Sequence, residues 1–292
     1  MKVADLTELI IDELSRPTEK NATTLVKIAR DRVIGVKAAL FYGSCLRDGI
    51  TTNSIADLYL LIEDDASKKE NWLIRILNRV LPPSVIYLEC DGPDGKLRAK
   101  AAIITVGQFI QLTSERTFHS YFWARFAQPI RLVWAENEHL IIQIAEACKS
   151  AVLTFASETH LYPPAKSEVF WTEGFKHTYA SELRSEGPDR PLQIYLADQN
   201  RYDLIFDILN SNRPIFRGTH YRKIRRQIFG KLLSVVRLLK GMSTFEGGLD
   251  YIAWKINRHS GVKVAIKPWH RRWPLIAAPG LAWSVWRRGG FK

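Results

Sequence analysis

Val36 to Tyr42 and Ile55 to Ile62 are two short apolar runs with the length of buried strands, and the polar stretch between them opens on Gly43-Ser44. That pair organises the reading of its surroundings. Residues 3 to 15 and 22 to 35 carry apolar side chains at three- and four-residue spacing, which predicts two helices before the first strand. After the second run, about Lys68 to Val80 predicts a helix closed by Pro82-Pro83, and Ser84 to Cys90 predicts a strand. Asp91-Gly-Pro-Asp-Gly95 is a turn. Lys100 to Val106 and Ile130 to Trp134 are further strands, with a helical stretch from Val106 to Phe126 between them. From Ala135 onward the period is helical, over about His139 to Ser157, Val169 to Ser185 and Pro191 to Asn210. The expected class is α/β (α+β): a mixed-sheet domain over residues 1–136, a mainly helical domain over 137–212 and a basic C-terminal region over 213–292.

The last region stands apart by its charge. Arg213 to Lys292 holds 18 Lys plus Arg and two acids, Glu246 and Asp250, whereas Met1 to Asn212 holds 24 basic and 28 acidic residues. A near-neutral body with a basic end, +12 overall, favours a polyanionic partner: nucleic acid, nucleotide or an anionic membrane surface. Tyr221 to Lys240 sets Ile224, Ile228, Leu232, Val235 and Leu239 on one helical stripe and Arg222, Lys223, Arg225, Arg226, Lys231, Arg237 and Lys240 elsewhere. Such a helix either lays its stripe on the core, charges outward, or meets a membrane. Trp254, Trp269, Trp273, Trp283 and Trp286 lie among nine Lys and Arg, a pattern suited to lipid headgroups. A single-stranded nucleic-acid groove interleaves the same residue types, and composition does not separate the two.

The 46% apolar content excludes disorder as the main state. Cys45, Cys90 and Cys148 form no closely spaced pair, which predicts neither a disulfide framework nor a zinc site and fits a reducing compartment. The opening MKVADLTELIIDEL mixes acids with apolar residues, so it reads as an amphipathic helix and not as a signal or transit peptide. Leu275 to Trp286, the longest apolar stretch, is about half the roughly 20 residues that span a bilayer. Pro279-Gly280 interrupts it, and no transmembrane helix is expected.

Chemistry concentrates at Phe41-Tyr-Gly-Ser-Cys-Leu-Arg47, where a strand end turns through Gly43-Ser44, and at Asp57, thirteen positions beyond Ser44 at the start of the next strand. A Gly at the turn lets backbone N–H groups approach a triphosphate, and a Ser hydroxyl can bond a terminal phosphate. A carboxylate on the neighbouring strand can hold Mg²⁺ against them. A Gly-Ser dipeptide alone is usually just a turn, and Asp57 alone suits a strand-start loop hydrogen bond somewhat better than a metal.

The arrangement resembles the polymerase-β-like nucleotidyltransferase superfamily, in which a Gly-Ser turn precedes a strand bearing Asp-x-Asp; here the second position is Tyr59. Within that superfamily the chain looks like the mitochondrial-type phosphatidate cytidylyltransferases, the translocator assembly and maintenance proteins, in which a single Asp opens this strand. Their segment K-Y-G-V-I-S resembles Lys100-Ala-Ala-Ile-Ile-Thr105, and A-G-R-L-x-K-P-V resembles Trp123-Ala-Arg-Phe-Ala-Gln-Pro-Ile130. S-Y-x-G-D-x-R is similar to Thr178-Tyr-Ala-Ser-Glu-Leu-Arg184. The likeness runs roughly from Ala38 to Asn210. Departures include Cys45 for Gly, Gln128 for Lys, Glu182 for Asp, and Lys68, Lys69 and Asn71 in place of a Trp-His pair.

The resemblance implies a Mg²⁺-dependent transfer of CMP from CTP to phosphatidic acid, giving CDP-diacylglycerol and pyrophosphate. In that reading Gly43 and Ser44 cradle the triphosphate and Asp57 binds Mg²⁺. Lys100 and Arg125 offset charge on the departing pyrophosphate, and Arg184 grips a phosphate. Glu89 is the candidate for a further carboxylate, as metal ligand or base. A lipid substrate that stays in the bilayer requires the enzyme at the interface, so the expected location is cytoplasmic and peripheral on the inner face of the membrane. Two alternatives stay open: a nucleotidyltransferase acting on RNA, protein or a small molecule, and an inactive module that binds nucleotide or nucleic acid.

Overall fold

The computed structural model describes residues 5–65, 78, 80–160, 166–182, 189–212, 219–244 and 264–287. Five strands, β1 (Val36–Tyr42), β2 (Ala56–Ile62), β3 (Ser84–Gly92), β4 (Gly95–Thr105) and β5 (Ile130–Ala135), form one sheet in the order β3-β4-β2-β1-β5. β2 and β4 run parallel and the other neighbours antiparallel, so the fold is mixed α/β, as the pattern of short apolar runs predicts.

Alternation sends successive side chains to opposite faces of the sheet, and each face has its own cover. Ala39, Phe41, Leu58, Leu60, Ala99 and Ala101 pack under α2 (Lys20–Arg32), whose inward residues are Ala22, Leu25, Val26 and Ala29. Leu40, Tyr59, Leu61, Ala102 and Ile104 face the other way, toward α1 (Leu6–Ser15), α4 (Val106–Thr113), α5 (Trp123–Phe126) and α6 (Glu138–Thr159). That second cluster continues without a gap through Phe170, Trp171 and Phe175 of α7 (Ser167–Tyr179) and Ile194 and Tyr195 of α8 (Arg190–Ala197). It ends on Tyr202, Ile205 and Leu209 of α9 (Gln199–Asn212). The expected boundary at residue 136 is therefore bridged by one apolar core.

α6 has the length and hydropathy of a bilayer span, yet 61% of its apolar window is buried inside the protein, where it is the central core helix. Charge also fastens the α9 end to the sheet. Arg201 Nε reaches buried Glu13 of α1 at 2.5 Å, its Nη1 bonds the Ala127 carbonyl at 3.1 Å, and Glu13 accepts the Ile130 N–H at 2.8 Å.

Two predicted helices are divided. Val106 to Phe126 breaks between α4 and α5, because the Thr117 hydroxyl and N–H bond the carbonyls of Gln111 and Ser114 and turn the chain. The 191–210 stretch breaks at Asp198, which leaves helical backbone at φ −149°, ψ 51°. The predicted helix from Lys68 lies almost wholly outside the described residues; Asn78 and Val80 are helical.

Of the two arrangements open to the long basic helix α10 (His220–Thr244), the one that lays its apolar stripe on the core is not adopted by the described part of that stripe. Ile224, Ile228 and Leu232, three of the predicted stripe, are exposed, together with Tyr221, Phe229 and Val236. Arg226 and Lys240 are buried instead. The reason lies in what this face meets. Arg226 bonds the carboxylate and carbonyl of buried Glu158 and the carbonyl of Phe118, while Arg222 reaches the same carboxylate at 2.8 Å. Gly230 lies on this inner face against the Ser181 carbonyl, where any Cβ would collide. α11 (Pro268–Arg272) and α12 (Pro274–Arg287) follow, with Trp269, Trp273 and Trp283 exposed.

Candidate active site

β1 ends at Tyr42, and the chain reverses through Gly43 at φ +86°, a backbone conformation that disfavours every residue with a Cβ. A Cβ there would also come within 2.9 Å of Asp57 Oδ2. The bare Gly43 thus admits the carboxylate of the neighbouring strand directly over the turn. Register produces the approach, since Asp57 is the cross-strand partner of Tyr42. Ser44, exposed, begins the short helix α3 (Ser44–Asp48). Beneath it buried Cys45 donates its thiol to the Ile55 carbonyl at 3.2 Å and clips the turn to the start of β2.

On the other side of Asp57, Lys100 is its register partner in the parallel β2–β4 pair, and Lys100 Nζ lies 3.0 Å from Asp57 Oδ1. Both side chains keep partial exposure, 36% and 26%, so each remains accessible to a solute. An exposed pair of this kind adds at most about 1 kcal/mol to stability.

Tyr59, two residues along β2, shares the face of Asp57 but is fully buried. Its ring packs 5.2 Å from that of Tyr42 and 4.9 Å from that of Phe126, and its hydroxyl accepts from Arg125 Nη1 at 3.0 Å. Burial pushes this hydroxyl well above the usual phenol value, so it is a neutral group that holds a cation. Arg125, half-buried, lies 4.4 Å from the centre of the Tyr121 ring and 5.6 Å from that of Tyr42.

Gly43, Ser44, Asp57, Lys100 and Arg125 are thus gathered where β1 ends and β2 begins, beside the middle of β4. Glu89 is not. It lies on the same face two strands from Asp57, with β4 between, and two residues further along, since Tyr87 is the residue level with Lys100 and Asp57; strand spacing and rise put the two backbones roughly 12 Å apart. Lys96 Nζ at 2.7 Å, Arg98 Nε at 3.1 Å and the Tyr87 hydroxyl at 3.0 Å surround its carboxylate. Burial pushes its pKa up, but these three neighbours outweigh that and hold the carboxyl below the usual carboxylate range. Glu89 anchors the β3–β4 edge in place of serving as a second carboxylate beside Asp57. Arg184 lies outside the described residues.

Three side chains that the motif reading passed over belong to this cluster: Tyr42, Tyr121 and Arg237. Tyr42 was signalled by its place just before the Gly-Ser turn. Tyr121 and Arg237 carried no local signal, because a turn and a helix distant in sequence bring them together. Compared with protein-family models and with curated proteins, the chain matches none.

Proposed function

We propose that the chain transfers a cytidylyl group from CTP to phosphatidic acid, forming CDP-diacylglycerol and releasing pyrophosphate, while seated on an anionic membrane surface facing the cytoplasm. One observation carries the chemistry: the Asp57 carboxylate stands over the side-chain-free Gly43 turn with the Lys100 ammonium 3.0 Å away. A carboxylate, an ammonium and a turn open to backbone approach are the parts that a nucleoside triphosphate requires.

Magnesium commonly takes one or two carboxylates together with substrate phosphate oxygens. Asp57 offers one carboxylate on an accessible face, which fits a metal shared with the triphosphate. Among the described residues no three His, Cys, Asp or Glu side chains cluster to form a metal site of their own. Bound there, Mg²⁺ would supply Lewis-acid polarisation of the phosphates.

The protein's own groups divide the remaining work. Gly43 and Ser44 orient the triphosphate. Lys100 exchanges its contact with Asp57 for the phosphate oxygens. Arg125, mounted on Tyr59, brings positive charge to the reacting phosphates. An oxygen of the acceptor phosphate bonds to the α-phosphorus as the bond from that phosphorus to the bridging oxygen breaks, and the electron pair leaves with pyrophosphate. The acceptor is already ionised at neutral pH, so the transfer needs no base to activate it.

The exposed apolar side of α10 and the exposed tryptophans of α11 and α12 support the membrane seat. The test is purified full-length protein with Mg²⁺, each labelled NTP in turn, and phosphatidate vesicles. Lipid-extractable label is expected from CTP and to require Mg²⁺. Label incorporated into RNA or protein but never into lipid would replace this reading with the alternative acceptor.

A further inference from the structure

α10 carries one more cation inward, and its position has a use of its own. The Arg237 guanidinium carbon lies 4.1 Å from the centre of the Tyr121 ring, and that of Arg125 lies 4.4 Å from the same centre. One phenol ring therefore mounts two guanidinium groups from elements more than 100 residues apart in the chain. Each is fixed at a second point. Arg125 donates to the Tyr59 hydroxyl at 3.0 Å, and Arg237 Nε donates to the Pro82 carbonyl at 3.3 Å. Lys240, one turn further, bonds the carbonyls of Leu81 and Pro83 at 2.8 and 3.0 Å and locks this part of α10 against the entry to β3.

Neither guanidinium makes an ion pair with a carboxylate of the described residues; the charge of Glu182 reaches both from further away. Half-buried cations without a paired counterion are costly, and proteins hold them where an anion is to be bound. The local potential is visible on the ring between them. Burial pushes the Tyr121 hydroxyl up, yet Arg125 and Arg237 together bring it below its ordinary value.

We propose that Arg125 and Arg237, braced on Tyr121, bind the phosphomonoester of the acceptor, and that Arg237 is the residue selecting for it. The inference rests on the reading of the chain as a phosphatidate cytidylyltransferase and names the acceptor subsite of that reaction. Two guanidinium planes suit a dianionic phosphate through paired N–H donors. The choice of acceptor over CTP follows from α10 itself. Val236, next to Arg237, is exposed, as are Leu232 and Ile228 on the same outer side, so one helix presents an apolar face and an inward phosphate-binding cation. A phosphate carrying acyl chains matches both; a nucleotide matches only the cation.

The experiment measures binding of soluble dihexanoyl phosphatidate, glycerol 3-phosphate, inorganic phosphate and Mg²⁺-CTP to the full chain, together with KM for the first and last. Arg237→Ala should raise the dissociation constant and KM for dihexanoyl phosphatidate at least tenfold and leave those for CTP within twofold. Arg237→Gln keeps a donor for the Pro82 carbonyl and should show the same split if the Ala variant melts early. Glycerol 3-phosphate should bind more weakly than the lipid yet lose affinity in the same variants. Unchanged phosphatidate binding in both variants, or a loss confined to CTP, overturns the assignment. Inorganic phosphate binding as tightly as the lipid overturns the selectivity for an acylated acceptor. Wild-type protein that binds phosphatidate through Arg237 but transfers no nucleotide overturns the proposed reaction and leaves the subsite standing.

Discussion

Arg125 Nη1 donates to the Tyr59 hydroxyl at 3.0 Å, so the position that carries a second carboxylate in the Asp-x-Asp pattern here mounts a cation. Tyr59→Phe keeps the ring packing and removes the acceptor. Stability should fall by about 1 kcal/mol, the net worth of one hydrogen bond, and nucleotide transfer should fall with Arg125 released. Tyr59→Asp should be no more active than Tyr59→Phe, because the new carboxylate would pair with Arg125. Urea titration and label transfer measure both; an Asp variant that outperforms wild type would mean that a second metal carboxylate fits here.

Gly43→Ala and Asp57→Ala separate the turn from the carboxylate. The first places a Cβ at φ +86° within 2.9 Å of Asp57 Oδ2, so it should lower stability by about 1–3 kcal/mol and displace the carboxylate. Asp57→Ala should leave thermal stability within about 1 kcal/mol, since it removes only a part-exposed ion pair, and should abolish transfer. Full turnover in a folded Asp57→Ala protein would sink the site. Ser44→Ala, at an exposed position, should weaken CTP binding or turnover with no effect on melting or on vesicle binding.

These residues were legible because their signals are local. Apolar runs bounded by turn residues placed β1, β2 and β5 to within one residue, and Gly43 and Asp57 come together through a register that adjacent strands fix. The same logic failed for Glu89. Its spacing along β3 is apparent, but Lys96 and Arg98, which neutralise it, lie on the partner strand. The stripe on α10 was equally visible, yet periodicity reports that a helix has two faces and not which one meets the body. Glu158, 68 residues before Arg226, decides that orientation. Gly230 was the one local hint, a glycine amid a helical pattern at the point where the backbone of Ser181 comes close.

Glu158 and Arg226, both almost wholly buried, form the pair on which α10 docks. Removing one partner strands the other charge away from water. Glu158→Ala and Arg226→Ala should each destabilise the protein by about 3–5 kcal/mol, while Glu158→Leu with Arg226→Met should recover most of the loss. Chemical denaturation of the three variants checks this. Single variants as stable as wild type would show that α10 is held by other contacts.

His160 stacks on Phe170 with ring centroids 4.5 Å apart, and burial pushes its imidazole down to about 4. An unfolded histidine titrates near 6.5, as a rough reference. Between those values the unfolded chain binds the extra proton, so this contribution to stability is complete above about pH 6.5 and is lost as pH falls toward 4. His119, lowered to about 4 by burial and then by Arg237, acts in the same direction. His160→Phe should remove on the order of 3 kcal/mol of the pH-dependent loss. Denaturation midpoints measured from pH 7 to pH 4.5 test it, and an unchanged pH slope in the variant would count against a buried neutral imidazole.

The outward side of α10 gives the last expectation, because it distinguishes a membrane seat from a surface that water merely covers. Ile228 and Leu232 are 63% and 58% exposed, so replacing them with serine removes little of the protein's own packing. Thermal stability should stay within about 0.5 kcal/mol of wild type. On vesicles the balance differs: each side chain loses on the order of 1–2 kcal/mol of transfer from water, so partitioning should fall roughly tenfold per substitution. Lys and Arg beside the stripe add attraction to anionic lipid that salt screens, so binding should weaken from 50 to 500 mM salt in every variant, on a Debye scale that falls below about 10 Å above 0.1 M. Deleting residues 254–292 should lower vesicle binding further and leave Mg²⁺-CTP binding intact, since the proposed nucleotide cluster draws on β1, β2, β4 and α5. Vesicle flotation with parallel nucleotide titration decides the matter. If Ile228→Ser and Leu232→Ser bind vesicles as the wild type does, or if single-stranded RNA is bound in a salt-sensitive manner and vesicles are not, α10 faces something other than a bilayer.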